Sequence, residues 1–146
     1  MSDNSPKQSE SANNCFVCGP HNPIGLHVSF ALENEKCIGE FTPLANHVGF
    51  DGVTHGGIIY SLLDDAMANW FFLRGDKGFT ARAEIRYRQP MQIGRKVKIE
   101  CGLVYRKGRL MRLRSTIFDI SSKNNYAEAE GSFMLEKREQ RSELLR

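Results

Sequence analysis

Two neighbouring acids follow a glycine turn in the middle of this 146-residue chain. The turn is Thr54-His55-Gly56-Gly57, and Asp64 and Asp65 lie in the long apolar stretch behind it. A glycine pair at a helix start lets a ligand approach the backbone, and the unpaired N–H groups of the first helical turn stabilise negative charge. Together with a carboxylate, such donors suit acyl transfer or hydrolysis, in which a base or nucleophile acts at a carbonyl and an oxyanion forms.

The stretch that carries the acids has the periodicity of a helix, which we predict over residues 57–73. Its apolar face, suited to burial under a sheet, comprises Ile59, Leu62, Leu63, Ala66, Trp70 and Leu73. Asp64 points away from this face, between the members of a second apolar stripe, Tyr60, Met67 and Phe71. We predict that a second subunit covers this stripe, so that Asp64 lies near a subunit interface. The alternative is that both acids are solvated on the outer face of the helix.

Alternation of apolar and polar residues indicates strands on both sides of the helix. Two strands are predicted before it, at residues 27–32 and 36–41, and alternation resumes after it at residues 79–87, 97–105, 111–117 and 127–135. Lys107-Gly108 supplies a tight hairpin turn. We predict an α+β fold in which an antiparallel sheet of about five strands wraps around one long central helix.

Composition and charge argue against several classes of protein. A formal net charge of +3, with basic residues alternating with acidic ones, does not indicate nucleic-acid binding. No apolar run approaches the roughly 20 residues that a membrane span needs, and no secretion signal is recognisable at the N-terminus. We predict a cytoplasmic protein with a disordered lead-in at residues 1–13, one domain at 14–136 and a charged tail at 137–146.

At these residues the sequence resembles the hotdog-fold acyl-CoA thioesterases, in particular the branch of phenylacetate-degradation thioesterases. The pattern of that family is His-Gly-Gly, six residues and then Asp, followed by a strand with Thr or Ser near its start and a Tyr/Phe-x-x-Pro ending. The matching segments are His55-Gly56-Gly57, Asp64, Thr80 and Tyr87-Arg88-Gln89-Pro90. The segment from Cys15 to Leu26 is similar to the leader of one subgroup, so the resemblance spans about residues 15–136.

The resemblance implies a role for each matching residue. Asp64 would be the general base or the nucleophile at the thioester carbon, and the Gly57 amide would donate to the oxyanion. His55 would shape the turn or bind the carbonyl region, and Thr80 would help to hold the attacking water from the partner subunit. Such a site is assembled across a homodimer, which could pair further into a homotetramer, and it requires no metal or cofactor.

Further substrate-binding residues are expected around this centre. Gly56 would let the substrate approach the turn, and Asn46 and His47 are candidates for the Asn or Gln that many relatives carry shortly before His-Gly-Gly. Arg82 and Arg88 are candidates for binding the phosphates of coenzyme A, although both could instead be solvated on a strand face.

The other residues with chemical potential are assigned to structure. Asp65 lies about 100° around the helix from Asp64, and we interpret it as structural or solvated, with a role as the base as the alternative. Cys15-x-x-Cys18 is interpreted as a buried structural pair. A zinc site is the next alternative. It ranks lower because the remaining possible ligands form no second paired motif; they are His21, His27, Cys37 and Cys101. Gly19-Pro20 argues against a redox pair, which usually opens a helix.

The sequence therefore predicts hydrolysis of an acyl-CoA thioester to free acid and coenzyme A. Two other functions remain open. One is a non-catalytic module that binds acyl-CoA. The other is a hotdog hydratase or dehydratase acting on acyl thioesters, although those relatives pair their Asp with a His on a following loop and no such pairing follows Asp64.

Overall fold

A long helix packs against a six-stranded antiparallel sheet in the computed structural model of the protein, which describes residues 11–137. The helix, α1, spans Gly56–Phe72, and a short 3-10 helix lies at Ala45–His47. The strands are β1 (Ala31–Glu33), β2 (Lys36–Phe41), β3 (Gly78–Tyr87), β4 (Val97–Lys107), β5 (Leu110–Asp119) and β6 (Asn125–Leu135). They lie in the order β1-β2-β4-β5-β6-β3, and every neighbouring pair is antiparallel.

The α+β prediction is confirmed, with a sheet of six strands, one for each of the alternating segments, where a sheet of about five was expected. The first strand differs most from its prediction, because it occupies residues 31–33 and not 27–32. The residues before it pair with the N-terminal loop: the Leu26 amide donates to the Phe16 carbonyl at 2.8 Å, and the Val28 amide donates to the Val17 carbonyl at 2.9 Å. These amides therefore hold the loop instead of extending β1.

The predicted apolar face of α1 is buried against the sheet, which confirms the orientation of the helix. Ile59, Leu62, Leu63, Ala66 and Trp70 are at most 6% exposed. Leu73 is the exception at 40%, because the helix ends at Phe72. The sheet supplies the opposing apolar side chains, which include Ile99, Leu113, Ile117 and Phe133. Each fully buried side chain of this size stabilises the fold by about 1.5–3 kcal/mol.

The second apolar stripe corrects one prediction. Met67 is fully buried and Phe71 is 3% exposed within the single chain, and the Phe71 ring centre lies 5.5 Å from that of Phe133. Of the three stripe residues, only Tyr60 remains partly exposed. The sheet reaches this side of the helix because α1 contacts β2 to β6. The prediction that a second subunit covers the stripe was therefore wrong for Met67 and Phe71.

Strand β3 forms one edge of the sheet and is exposed along most of its length. Phe79 is 61% exposed and Tyr87 is 51% exposed. Within residues 11–137, no strand pairs with the outer side of β3. A ten-residue edge of this kind presents free backbone donors and acceptors on which another chain can add.

The predicted terminal segments fall mostly outside the described residues and stay predictions. Where the lead-in is described, the Ala12 carbonyl accepts from Cys15 at 3.0 Å and the Asn13 carbonyl accepts from His21 at 2.9 Å. Within the described 11–137, no helix combines the length and the apolar character needed to cross a bilayer.

One buried hydrogen bond fixes α1 next to its acids. Ser115 of β5 is fully buried, and its hydroxyl donates to the Leu63 carbonyl at 3.0 Å. We expect Ser115→Ala to lower the free energy of unfolding by about 1 kcal/mol, because a buried hydrogen bond of α1 is lost. Urea denaturation measures this change. Ser132→Ala, on the less buried face of β6, is the matched control and should stay within about 0.5 kcal/mol of the wild type. Equal effects of the two substitutions would contradict the anchoring role.

Candidate active site

Asp64 and Thr80 form the contact on which the candidate site is built. The Thr80 hydroxyl donates to Oδ1 of Asp64 at 3.0 Å. Burial raises the pKa of the Asp64 carboxyl, and the hydrogen bond from Thr80 partly opposes that rise. The resemblance implied that Thr80 acts from a partner subunit, whereas the structure places the hydroxyl beside the carboxylate of its own chain. The result is a half-buried carboxylate with the raised basicity of a general base.

A bulge in β3 accompanies this contact. Thr80 pairs with Phe133 of β6, and the register then shifts so that Arg82 pairs with Ser132. One residue, Ala81, is thus extra on β3. Bulges of this kind change the direction in which side chains leave a strand, and they are frequent at sheet edges and beside active sites.

The glycine turn is closed by its own histidine. His55 caps the N-terminus of α1, and its ring Nδ1 accepts a hydrogen bond from the Gly57 amide at 2.8 Å. A Cβ on Gly57 would lie only 3.0 Å from that nitrogen, so glycine leaves room for the ring. The amide expected to donate to an oxyanion is therefore already hydrogen-bonded, and a substrate carbonyl would have to replace the imidazole.

Tyr87 is a site residue whose contact the sequence reasoning missed. Its hydroxyl donates to the Gly56 carbonyl at 2.9 Å and so ties the end of β3 to the start of α1. The pKa of Tyr60 is raised mainly by burial and further by the nearby Asp64 carboxylate and Tyr87. The Tyr60 phenol therefore belongs to the candidate site. The only sequence signal for Tyr87 was its place in the strand-ending Tyr-x-x-Pro segment.

His47 supports the turn from the 3-10 helix. The His47 carbonyl accepts a hydrogen bond from the His55 amide at 2.9 Å. The centre of the His47 ring lies 5.3 Å from that of Phe41. Burial lowers the pKa of His47. Asn46 and His47 line a cavity of about 360 Å³ that also involves Glu40 and does not include Asp64. A substrate-binding role for their side chains stays a prediction.

The two predicted phosphate-binding arginines are paired with acids on the sheet surface. Arg82 forms an exposed ion pair with Glu84 at 3.2 Å. Arg88 pairs with Glu128, which also binds Arg114 at 3.1 Å, and the hydrogen bond from Arg88 lowers the pKa of Glu128. An exposed pair contributes little stability. Phosphate binding by either arginine stays a prediction.

Asp65 lies in a separate network on another side of α1. Its Oδ1 is 3.5 Å from the Cys15 sulfur, and its Oδ2 accepts from Asn69 at 3.0 Å. Burial raises the pKa of Asp65, and the hydrogen bonds from Cys18 and Cys15 partly oppose that rise. The predicted separation of the acids is thus observed: Asp64 contacts β3, and Asp65 contacts the N-terminal loop.

Sequence comparison identifies the family. Residues 51–124, about half of the chain, match the Thioesterase superfamily. The chain belongs to this superfamily. The matched range of the thioesterase domain includes the glycine turn, all of α1 and Thr80, and it excludes the segment that carries Cys15 and Cys18. No curated protein matches the chain.

Solved structures share the fold of this thioesterase domain. A thioesterase superfamily protein is 22% identical, with a TM-score of 0.78 over 92% of this chain and 68% of that one. The Escherichia coli PaaI protein of the phenylacetic acid degradation operon is 16% identical, with a TM-score of 0.71 over 77% of this chain and 81% of that one. A Streptococcus mutans protein bound to acetyl-CoA is 18% identical, with a TM-score of 0.69 over 75% and 88%. These likenesses confirm the hotdog fold.

The Thr80 hydroxyl should set the basicity of Asp64. Thr80→Val removes the hydrogen bond that lowers the pKa of Asp64, so we expect this pKa to rise further. Thr80→Ser keeps a hydroxyl and should leave the pKa near that of the wild type. Carbon-detected NMR of the aspartate carboxyl during a pH titration measures both variants. An Asp64 pKa that is unchanged, or lower, in Thr80→Val would contradict the contact.

Proposed function

We propose that this thioesterase-superfamily protein hydrolyses an acyl-CoA thioester to a free acid and coenzyme A. Membership of the superfamily supports thioester hydrolysis in general. A structural neighbour bound to acetyl-CoA supports a ligand of the CoA type. The observation that carries the proposal is the half-buried Asp64 carboxylate with a raised pKa and a hydroxyl at 3.0 Å.

The proposed reaction needs one base and one oxyanion donor. Asp64 takes a proton from a water molecule held beside Thr80, and the water oxygen forms a bond to the thioester carbon. The carbonyl electrons move to oxygen, and the Gly57 amide stabilises the resulting oxyanion. When the oxyanion collapses, the C–S bond breaks, and the proton held by Asp64 passes to the coenzyme A thiolate. Direct attack by Asp64, through an anhydride that water then hydrolyses, uses the same groups.

The spacing of these groups favours a site shared by two copies of the chain. Gly57 and Asp64 are seven residues apart on α1, which corresponds to about 10.5 Å along the helix axis. For direct attack, the nucleophile and the oxyanion donor stand only about 6 Å apart, since each is about 3 Å from the atom on which it acts, and the water-mediated route lengthens this to about 9 Å. We therefore assign Asp64 of one protomer and Gly57 of a second copy to one active site.

Strand β3 supports the same assembly. Its outer edge is unpaired within the described part of the chain, and it carries Thr80 and Tyr87 beside α1. Two copies of β3 added edge to edge would form an isologous homodimer, because each strand presents the same surface to the other. A homotetramer and a cytoplasmic location stay predictions, as does the assignment to the branch of phenylacetate-degradation thioesterases.

We expect Asp64→Asn to lower kcat for thioester hydrolysis by more than about 100-fold, because an amide cannot act as the base. Release of free thiol from a panel of acyl-CoA substrates measures the rate. Asp65→Asn is the matched comparison. If Asp65→Asn abolished turnover and Asp64→Asn did not, the assignment of the base would be wrong.

The same panel separates the alternative functions. A wild-type protein that binds coenzyme A and releases no thiol from any substrate would be a binding module. Hydration of an enoyl-CoA without thiol release would identify a hydratase. Either result would contradict the proposed hydrolysis.

A shared site predicts complementation between two inactive variants. Gly57→Pro removes the oxyanion donor, whereas Gly57→Ala keeps the amide and measures the effect of crowding His55 alone. When Asp64→Asn and Gly57→Pro chains are unfolded together and refolded, half of the dimers combine one chain of each kind. Each mixed dimer then holds one intact site of two, so we expect about a quarter of wild-type activity to return. No recovery from a mixture shown to exchange subunits would mean that each site forms within one chain.

A further inference from the structure

The N-terminal loop and α1 bring together two thiols and a carboxylate that the proposed hydrolysis does not use. Cys15 and Cys18 lie on the loop and Asp65 lies on the helix. One sulfur or oxygen atom from each residue lies within 4.8 Å of the others, and all three residues are half-buried. We call these three residues the loop–helix cluster.

The distance between Cys15 and Asp65 in the loop–helix cluster matches that between two ligands of a tetrahedral metal ion. Zinc binds a thiolate at about 2.3 Å and a carboxylate oxygen at about 2.0 Å, so a tetrahedral angle puts the two ligand atoms about 3.5 Å apart. Sγ of Cys15 and Oδ1 of Asp65 are 3.5 Å apart. An ion could therefore bind to this pair without rearrangement of the backbone.

The turn between the two cysteines also suits a metal ligand. The Cys18 amide donates to the Cys15 sulfur at 3.5 Å, and such a donor stabilises the thiolate that a metal binds. Gly19 then closes the turn, with its amide 2.9 Å from the Cys15 carbonyl. A Cβ on Gly19 would lie 2.3 Å from the Cys15 nitrogen, so only glycine permits this turn.

Asn69 orients the carboxylate of the cluster. Its side-chain amide donates to Oδ2 of Asp65 at 3.0 Å and to the Asp65 carbonyl at 2.9 Å, and it lies 3.8 Å from the Cys18 sulfur. This leaves Oδ1 directed at Cys15. Ligating carboxylates in metal sites are held by outer hydrogen bonds of this kind.

A cavity of about 270 Å³ lies directly beside the cluster. Its lining includes all three cluster residues, together with Asn69, Lys77 and Glu136. Three protein ligands leave the fourth position of a tetrahedral ion to a water molecule or to another small donor. The cavity provides the room for that ligand.

We propose that Cys15, Cys18 and Asp65 bind one zinc ion, which joins the N-terminal loop to α1. Two thiolates favour zinc over calcium or magnesium, which prefer oxygen ligands. From the sequence alone, a structural cysteine pair ranked above zinc because no second ligand pair was visible. The third ligand comes instead from the helix, next to the proposed base.

Titration of the reduced full-length protein with cobalt(II), followed by displacement with zinc, tests the proposal. We expect about one cobalt ion per chain, with thiolate-to-cobalt charge-transfer absorption and the visible bands of a tetrahedral ion. Cys15→Ser, Cys18→Ser and Asp65→Asn should each weaken zinc binding by more than about 100-fold, and Asn69→Ala by about 10- to 100-fold. Cys101→Ala, which removes a buried thiol of β4, is the control and should bind like the wild type.

Zinc should also raise the Tm of the wild type and leave that of Cys15→Ser unchanged. This comparison distinguishes a metal site from a cluster that only forms hydrogen bonds. The proposal would be overturned if the wild type bound no cobalt, if the bound ion lacked thiolate charge transfer, or if Cys101→Ala lost the ion while Cys15→Ser kept it.

Discussion

Burial of α1 by the sheet is the constraint on which the surroundings of Asp64 and Asp65 depend. Leu62 and Leu63 are fully buried, and the Leu63 carbonyl accepts a hydrogen bond from Ser115, so the rotation of the helix is fixed immediately before its two acids. If the helix turned about its axis by one residue, about 100°, one acid would point where the other now points. Because the rotation is fixed, Asp64 meets β3 and Asp65 meets the N-terminal loop.

The electrostatics of the two acids differ from those of Asp119 and Glu128. Arg95 lowers the pKa of Asp119, and Arg88 lowers that of Glu128. Within residues 11–137, neither Asp64 nor Asp65 forms an ion pair. Neutral donors contact them instead, and burial raises the pKa of both. A carboxylate solvated only by neutral groups remains a better base or metal ligand than one already paired with an arginine.

Local periodicity was enough to predict the elements that position the site. The helix was expected at residues 57–73 and occupies 56–72, and the separation of Asp64 from Asp65 followed from its period. Periodicity shows which face a helix buries, but it does not show how far a sheet wraps around that helix. For this reason the burial of Met67 and Phe71 was missed.

The spacing of residues along the sequence could not predict contacts between distant segments. Tyr87 meets Gly56 across 31 residues, and Cys15 meets Asp65 across 50. The His-Gly-Gly segment indicated a turn and an oxyanion donor, but the hydrogen bond from Gly57 to His55 depends on the rotamer of the histidine. A sequence pattern carries no information about that rotamer.

The hydrogen bond between His55 and Gly57 bears on how an oxyanion hole at this helix would favour the transition state. In the free protein the Gly57 amide already has an acceptor, so a neutral thioester carbonyl that replaces the imidazole exchanges one hydrogen bond for another of similar strength. As the carbonyl oxygen becomes charged, its hydrogen bond becomes charge-assisted and about twice as strong. The helix dipole adds to this gain. In the proposed reaction the amide would therefore contribute little to binding of the substrate and more to binding of the tetrahedral intermediate, which is the difference that accelerates a reaction.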